Sequence, residues 1–262
     1  MSDVLSEIQE HVLLITLNRM NKHNAFDDIL LASLQYILDK AEENPHIHVI
    51  VLKANGRHFS AGADIAWMHR MAQFTEEENL ADAMALARLM NSLYQSKKPT
   101  IAMVQGAAMG GGAGLVAASD IAIAAHSARF CFSEVKLGLI PAVISPYVIK
   151  AIGERAALGL FMSAETIDAK RALELQLVQH CVPDEELLSF TLKYAHQIAQ
   201  WIPQAVQAAK KLVHSVAGKP IDQELQQLTS RLIAKQRVST EGQQGLQAFL
   251  DKQIAKGAKK DG

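Results

Sequence analysis

The 262-residue chain is short of cysteine, of aromatic residues and of net charge, and each shortage closes off a class of function. Its two cysteines, Cys131 and Cys181, stand far apart and outside any CxxC pattern. That argues against a disulfide framework or a cysteine-rich zinc site, and for a reducing compartment. Aromatic residues make up 5% and the formal net charge is −1, so no affinity for nucleic acid or for anionic lipid is expected from composition. The uncharged stretch around residues 106–118 is too short and too rich in glycine to cross a bilayer, which takes ~20 apolar residues. The opening MSDVLSEIQE carries Asp3, Glu7 and Glu10; it lacks the basic start and apolar run of a secretory signal and the arginine-rich character of a transit peptide. A cytoplasmic protein is expected. The ten histidines are scattered, with HxH at His46 and His48 and no HExxH, so no metal site is expected.

What is present is core. Hydrophobic residues make up 49% and charged ones 20%, enough for one large domain or one domain with an appendage. Short apolar runs at residues 12–17, 49–52, 101–104, 121–124 and 129–133 read as strands, several of them apolar on successive residues, as in a sheet covered on both faces. Leu30, Leu31, Leu34, Ile37, Leu38 and Ala41 recur at helical spacing and stop near Asn44–Pro45. A capping box at Thr75 and Glu78 opens another helix. From about residue 184 the pattern is almost entirely helical, with Pro203 and Pro220 at helix starts or breaks. No sequence repeat of fixed period is visible. The expected architecture is α/β over residues 1–195, then a helical region over 196–262.

Three elements carry chemistry. GRHFSAGADI (residues 56–65) follows the second strand, and its small Ala61, Gly62 and Ala63 would let backbone N–H groups approach a ligand. GAAMGGGAGL (residues 106–115) follows the third strand, where glycines at a helix start leave unpaired N–H groups suited to an anion. It is neither a P-loop, since no Lys-Ser or Lys-Thr follows, nor a dinucleotide fingerprint, since Leu115 holds the third glycine position. Glu134 lies in SEVKLGLIP among apolar residues, where desolvation would raise its pKa and suit it to proton transfer; a helix cap or a partner for Lys136 is the plainer alternative.

Together these pieces, with Asn18-Arg19, Asn24-Ala25, Asp120-Ile121, Leu137-Gly138, Ile140-Pro141, Glu241-Gly242 and Ala248-Phe249, resemble the enoyl-CoA hydratase/isomerase (crotonase) family along nearly the whole chain. The resemblance implies a spiral of strand–strand–helix units with a C-terminal helical trimerisation region. It implies a homotrimer or a hexamer built as a dimer of trimers, and no cofactor beyond the coenzyme A of the substrate. By position it makes Glu134 the acid/base and gives the oxyanion donors as the N–H groups of Ala61 and Gly111. It places coenzyme A at Lys22, His23, Ala25, Ala63, Asp64, Ile65, Phe249 and Lys252, the adenine near residues 63–65 and the phosphates near Lys22 and His23, with Lys252 reaching in from another subunit. His69 and Arg70 are candidates for the acyl pocket or an exposed helix start.

One departure is informative. Typical hydratases of this family pair two glutamates, and the position of the first, just before Leu115, is Gly114 here. Family isomerases work with one glutamate at the Glu134 position. The wider text FSEVKLGLIPAVISPYV favours a hydratase, similar to methylglutaconyl-CoA hydratases of leucine breakdown; an enoyl-CoA isomerase and a non-catalytic coenzyme A-ester- or RNA-binding relative are the alternatives. On the hydratase reading, water sits opposite Glu134 near Gly114, and Gly114→Glu is expected to preserve or improve hydration if the helix start tolerates the side chain.

Overall fold

The computed structural model describes residues 2–258, with side chains through Asp251. The chain divides into two compact units, Met1–Ile198 and Ala199–Gly262. The first begins with a hairpin of β1 (Val4–Gln9) and β2 (Val12–Leu17). Helix α1 (Asp28–Glu43) starts where Asp27 accepts the Leu30 N–H, and buries Leu30, Leu31, Leu34, Leu38 and Ala41. Then come β3 (Val49–Ala54), α2 (Ile65–Met71) and α3 (Glu76–Gln95), the last opened by the reciprocal Thr75–Glu78 capping box. The middle of the unit runs β4 (Thr100–Val104), β5 (Ala107–Met109), α4 (Gly111–Ala118), β6 (Ile121–Ala125) and β7 (Arg129–Cys131). A 3-10 turn, Glu134–Leu137, leads to α5 (Ser145–Ile152) and α6 (Glu154–Ser163). The unit closes with β8 (Ile167–Asp168), α7 (Ala169–Glu174), β9 (His180–Val182) and α8 (Leu187–Ala199).

Two sheets organise these elements. The larger has the order β1-β2-β3-β4-β6-β9, parallel except for the β1–β2 pair. Every residue of β2 and β4 is buried, which is why those strands read as unbroken apolar runs. The smaller sheet is β5-β7-β8. Consecutive strands divide between the two: β4 lies in the large sheet and β5 in the small, β6 in the large and β7 in the small. The segment after β3 does the same with a single bridge, Ser60 to Ala108. Ala108 in turn pairs with Phe130, so Ser60, Ala108 and Phe130 stand in register on three parallel segments. Each of those segments then delivers one residue of the site, at positions 63, 111 and 134.

The second unit is helical: α9 (Pro203–Val216), with proline at its first turn, α10 (Gln223–Arg237) and α11 (Thr240–Ala258). Helices α9 and α10 contain no fully buried residue. Among the described residues no helix is long and apolar enough to cross a membrane.

Candidate active site

The site is built on a buried polar knot beneath the two glycine-bearing turns. Arg19 is 7% exposed and forms ion pairs with Asp3 (3.1 Å), Asp27 (2.9 Å) and Asp64 (3.5 Å). Asp27 and Asp64 are the N-caps of α1 and α2, so one guanidinium ties together two helix starts. Asn24 sits at φ 55°, a conformation asparagine tolerates better than most residues. Its side chain accepts the Arg19 N–H and donates to the carbonyls of Asn55 and His58. Ser60 hydroxyl donates to Asn24 O and accepts from the Gly62 N–H.

These bonds fix which backbone donors remain available. Phe26 N–H donates to Gly62 O, and Asp64 N–H donates to Phe26 O. That pairing turns the groups of residues 62 and 64 toward Phe26 and those of Ala63 the other way. The Ala63 N–H is left without an acceptor among the described residues, in an exposed residue. Ala61, expected to be a donor, gives its N–H to His23 O at 3.0 Å and is not available. Gly111 is the first residue of α4 and its N–H has no acceptor among the described residues, as the first turn of a helix allows. The two turns are in close contact. A Cβ on Gly62 would lie 3.1 Å from Met109 O, and one on Gly111 would lie 3.2 Å from the Phe26 ring.

Glu134 enters from the third segment. Its Oε1 lies 3.3 Å from where a Gly110 Cβ would be, and Gly110 holds φ 50°, ψ −120°, so a side chain there would meet both backbone strain and the carboxylate. Oε2 is buried and has no hydrogen-bond partner among the described residues. Burial raises the Glu134 pKa, opposed only by its own backbone N–H. The partner considered from sequence, Lys136, turns its ammonium to the Cys131 sulfur at 3.8 Å, and no ion pair reaches Glu134 among the described residues.

The Gly114 position is not open. Gly114 is buried in α4, and a Cβ there would overlap the Ile144 side chain, 2.8 Å from its Cβ, with Met90 Cε at 3.2 Å. Ile144 is itself 2% exposed. The expectation that a glutamate could be restored by Gly114→Glu alone is therefore corrected: Ile144 and Met90 already fill the volume that the side chain would need.

The residues assigned to coenzyme A divide. Lys22, His23, Ala25, Ala63, Asp64 and Ile65 fall in one neighbourhood, but three are already engaged. Lys22 Nζ lies 2.7 Å from Asp64, which holds the Asp64 pKa down. The Asp64 carboxylate is buried and caps α2 through the Ala66 and Trp67 N–H groups. Ala25 is buried with its carbonyl accepting from Arg19. His23 and Ala63 are exposed, and Ile65 is 84% exposed. Phe249, in the second unit, is 58% exposed; the Lys252 side chain lies outside the described residues. His69 is exposed, and Arg70 forms an exposed ion pair with Asp28 at 2.6 Å. Residues the sequence did not single out are Ile144 and Met90, which fill the space beside Gly114, and His58, whose ring accepts a backbone N–H. Among the described residues no group of three or more His, Cys, Asp or Glu side chains is placed to hold a metal ion.

A half-buried carboxylate against Gly110, with unpaired N–H groups at Gly111 and on the Ala63 turn that touches Met109, can move a proton beside an anion that those donors stabilise. Comparison with known proteins points the same way. A family model described as enoyl-CoA hydratase/isomerase matches residues 7–257. The 2,3-dehydroadipyl-CoA hydratase of Escherichia coli K12 is 32% identical over 253 residues, covering 96% of this chain and 97% of that protein. A Legionella pneumophila crystal structure, provisionally described as an enoyl-CoA hydratase/isomerase (crotonase), shares 66% identity at a TM-score of 0.93, over 96% of this chain and 97% of that one. A Shewanella pealeana enoyl-CoA hydratase shares 45% at a TM-score of 0.92, over 96% and 94%.

Proposed function

The chain belongs to the enoyl-CoA hydratase/isomerase family of enzymes, and from that premise we propose that it adds water across the 2,3 double bond of a short or branched enoyl-CoA, with Glu134 as both base and acid. The observation that carries the reading is the half-buried Glu134 carboxylate against Gly110, together with the unpaired donors of Gly111 and Ala63 on the two touching turns. The thioester oxygen lies between those two N–H groups, Ala63 taking the place first assigned to Ala61. Glu134 removes a proton from water as the water oxygen bonds to C3, and the π electrons move onto the thioester oxygen as an enolate. The protonated Glu134 then gives its proton to C2, the enolate collapses, and the carboxylate is regenerated. One carboxylate serves both steps, so hydrogen and hydroxyl arrive on the same face. Coenzyme A needs no separate cofactor beside it; its adenine rests on the backbone of residues 63–65 and its phosphates near His23, with Phe249 and Lys252 supplied by a neighbouring chain.

The favoured acyl group is 3-methylglutaconyl, a branched chain ending in a carboxylate. The E. coli relative is named for another carboxylated substrate, 2,3-dehydroadipyl-CoA. A second reading, isomerisation of a 3-enoyl to a 2-enoyl ester, is favoured by the filling of the Gly114 position with Ile144 and Met90; there Glu134 would take a proton from C2 and return it to C4. The deciding assay offers short, branched and carboxylated 2-enoyl and 3-enoyl esters in D2O. Hydration with deuterium and hydroxyl on one face is expected; rapid double-bond migration with negligible hydration would overturn the hydratase reading.

A further inference from the structure

We infer that His58 is a positioning residue for the oxyanion loop, acting through the unprotonated nitrogen of its imidazole. The inference rests on reading residues 107–111 as the strand and turn that carry one of the two oxyanion donors. His58 Nδ1 accepts the Ala107 N–H at 3.0 Å. Ala107 is the first residue of β5, a strand of three residues that ends one residue before Gly110 and two before Gly111. The backbone of the neighbouring segment pairs on either side of this point. Phe59 N–H donates to Gln105 O, Ser60 N–H to Ala107 O, and Met109 N–H to Ser60 O. The Ala107 N–H itself is met by the imidazole. Gly106 makes room for that contact: it holds φ 57°, and a Cβ there would lie 2.8 Å from His58 Nδ1. The His58 ring thus fixes the beginning of the strand whose end presents Gly111.

Because the N–H is a donor, Nδ1 must hold its lone pair, and the ring proton sits on Nε2. Protonating Nδ1 would place one donor against another and break the bond. The surroundings resist that protonation. Burial lowers the His58 pKa first, and the nearby His23 and Arg57 add to it. The His23 ring stands edge-on at 5.1 Å. From the small sheet, Arg129 is paired opposite Ala107 and turns its guanidinium to the carbonyls of His126 and Ala128. From the 24–26 turn only the amide of Asn24 reaches the His58 carbonyl. No carboxylate forms an ion pair with His58 among the described residues. A folded-state value below the unfolded one means that the stabilisation is complete above the unfolded pKa and is lost as pH falls through the folded one. Because protonation would break the bond to the Ala107 N–H, a second proton is expected in the acid limb of the pH–rate profile, beside that of Glu134.

The experiment compares His58→Ala and His58→Asn with the natural protein, in kinetics from pH 5 to 9 and in the nuclear magnetic resonance titration of the Ala107 amide. Asparagine can place its carbonyl oxygen near the Nδ1 position and does not titrate. His58→Ala should lower kcat about 10- to 100-fold at pH 8 with little change in KM, as expected for a misplaced transition-state donor. His58→Asn should recover most of that loss and reduce the acid limb from two protons to one. In the natural protein the Ala107 amide should shift with the same midpoint as the His58 ring. Wild-type kcat in His58→Ala, a two-proton limb surviving in His58→Asn, or an Ala107 amide indifferent to His58 titration would each overturn the inference. If the natural protein turns over no enoyl ester, the hydration reading fails instead, and the amide titration alone decides about His58.

Discussion

At Glu134, burial raises the carboxyl pKa and leaves Oε2 without a partner among the described residues. A carboxylate with a raised folded-state pKa stabilises the fold only below its unfolded value, and that contribution is lost as pH rises through the folded one. The ionised form of Glu134 is therefore a cost to folding, and it is the form that the proposed base needs in order to take a proton. Glu134→Gln should reduce kcat by about 10²–10⁴-fold, while thermal denaturation at pH 7 gives a Tm equal to or above that of the natural protein, the advantage vanishing toward acid. A loss below about tenfold, or a lower Tm at pH 7, would remove Glu134 from the role proposed for it. This residue was legible in the sequence because a lone acid among apolar neighbours is conspicuous. The choice between Ala61 and Ala63 was not. It depends on Phe26 pairing with residues 62 and 64, a contact between positions that are far apart in the chain, and the small residues of AGA look equivalent without it.

On the scale of elements, the buried apolar strands were legible, the three-residue β7 among them, and the other short or exposed ones were not. β2 and β4 announce themselves by continuous apolar residues, whereas β1 buries only Val4 completely, and β5, β8 and β9 run to three residues or fewer. Such strands hold their place by register with neighbours rather than by their own pattern. The same limit applies to α4. Its glycines promise free N–H groups, but nothing in GGGAGL tells that Ile144, thirty residues on, packs where a side chain at 114 would go. Gly114→Ala should gain ~1 kcal/mol of helix propensity and lose ~1–3 kcal/mol to overpacking against Ile144. Ile144→Ala alone should cost ~2–5 kcal/mol through the cavity it leaves. If the two side chains compete for one volume, the double variant should be more stable than the sum of the single effects, by ~0.5–3 kcal/mol in a denaturation cycle. Additivity within about 0.5 kcal/mol would mean that helix and loop move apart freely, and that the second carboxylate is missing for some reason other than space.

The whole molecule repeats a plan that its sequence conceals. Three successive segments cross from the large sheet to the small one in register at Ser60, Ala108 and Phe130, yet FSAGADI, GAAMGGG and RFCFSEV share no common text. What recurs is a backbone path, and each copy has been given a different side chain or N–H to deliver. Beyond that plan lies the helical unit, whose composition was legible but whose purpose depends on what covers it. Helices α9 and α10 bury no residue completely, and Trp201, Ile221, Val238 and Phe249 are 58%, 86%, 78% and 58% exposed in the single chain. Large apolar side chains left this open, three in the segments that join the helices and Phe249 on α11, usually mark a surface meant for a partner, and a second copy of this chain fits the family's expected trimer. Sedimentation velocity at micromolar concentration should then find three or six chains of 28.6 kDa, with a Tm that rises with protein concentration, because subunits that bind the native state stabilise it by mass action. A 28.6 kDa monomer with a concentration-independent Tm would refute the trimer, and with it the placement of Phe249 and Lys252 at a neighbouring chain's coenzyme A.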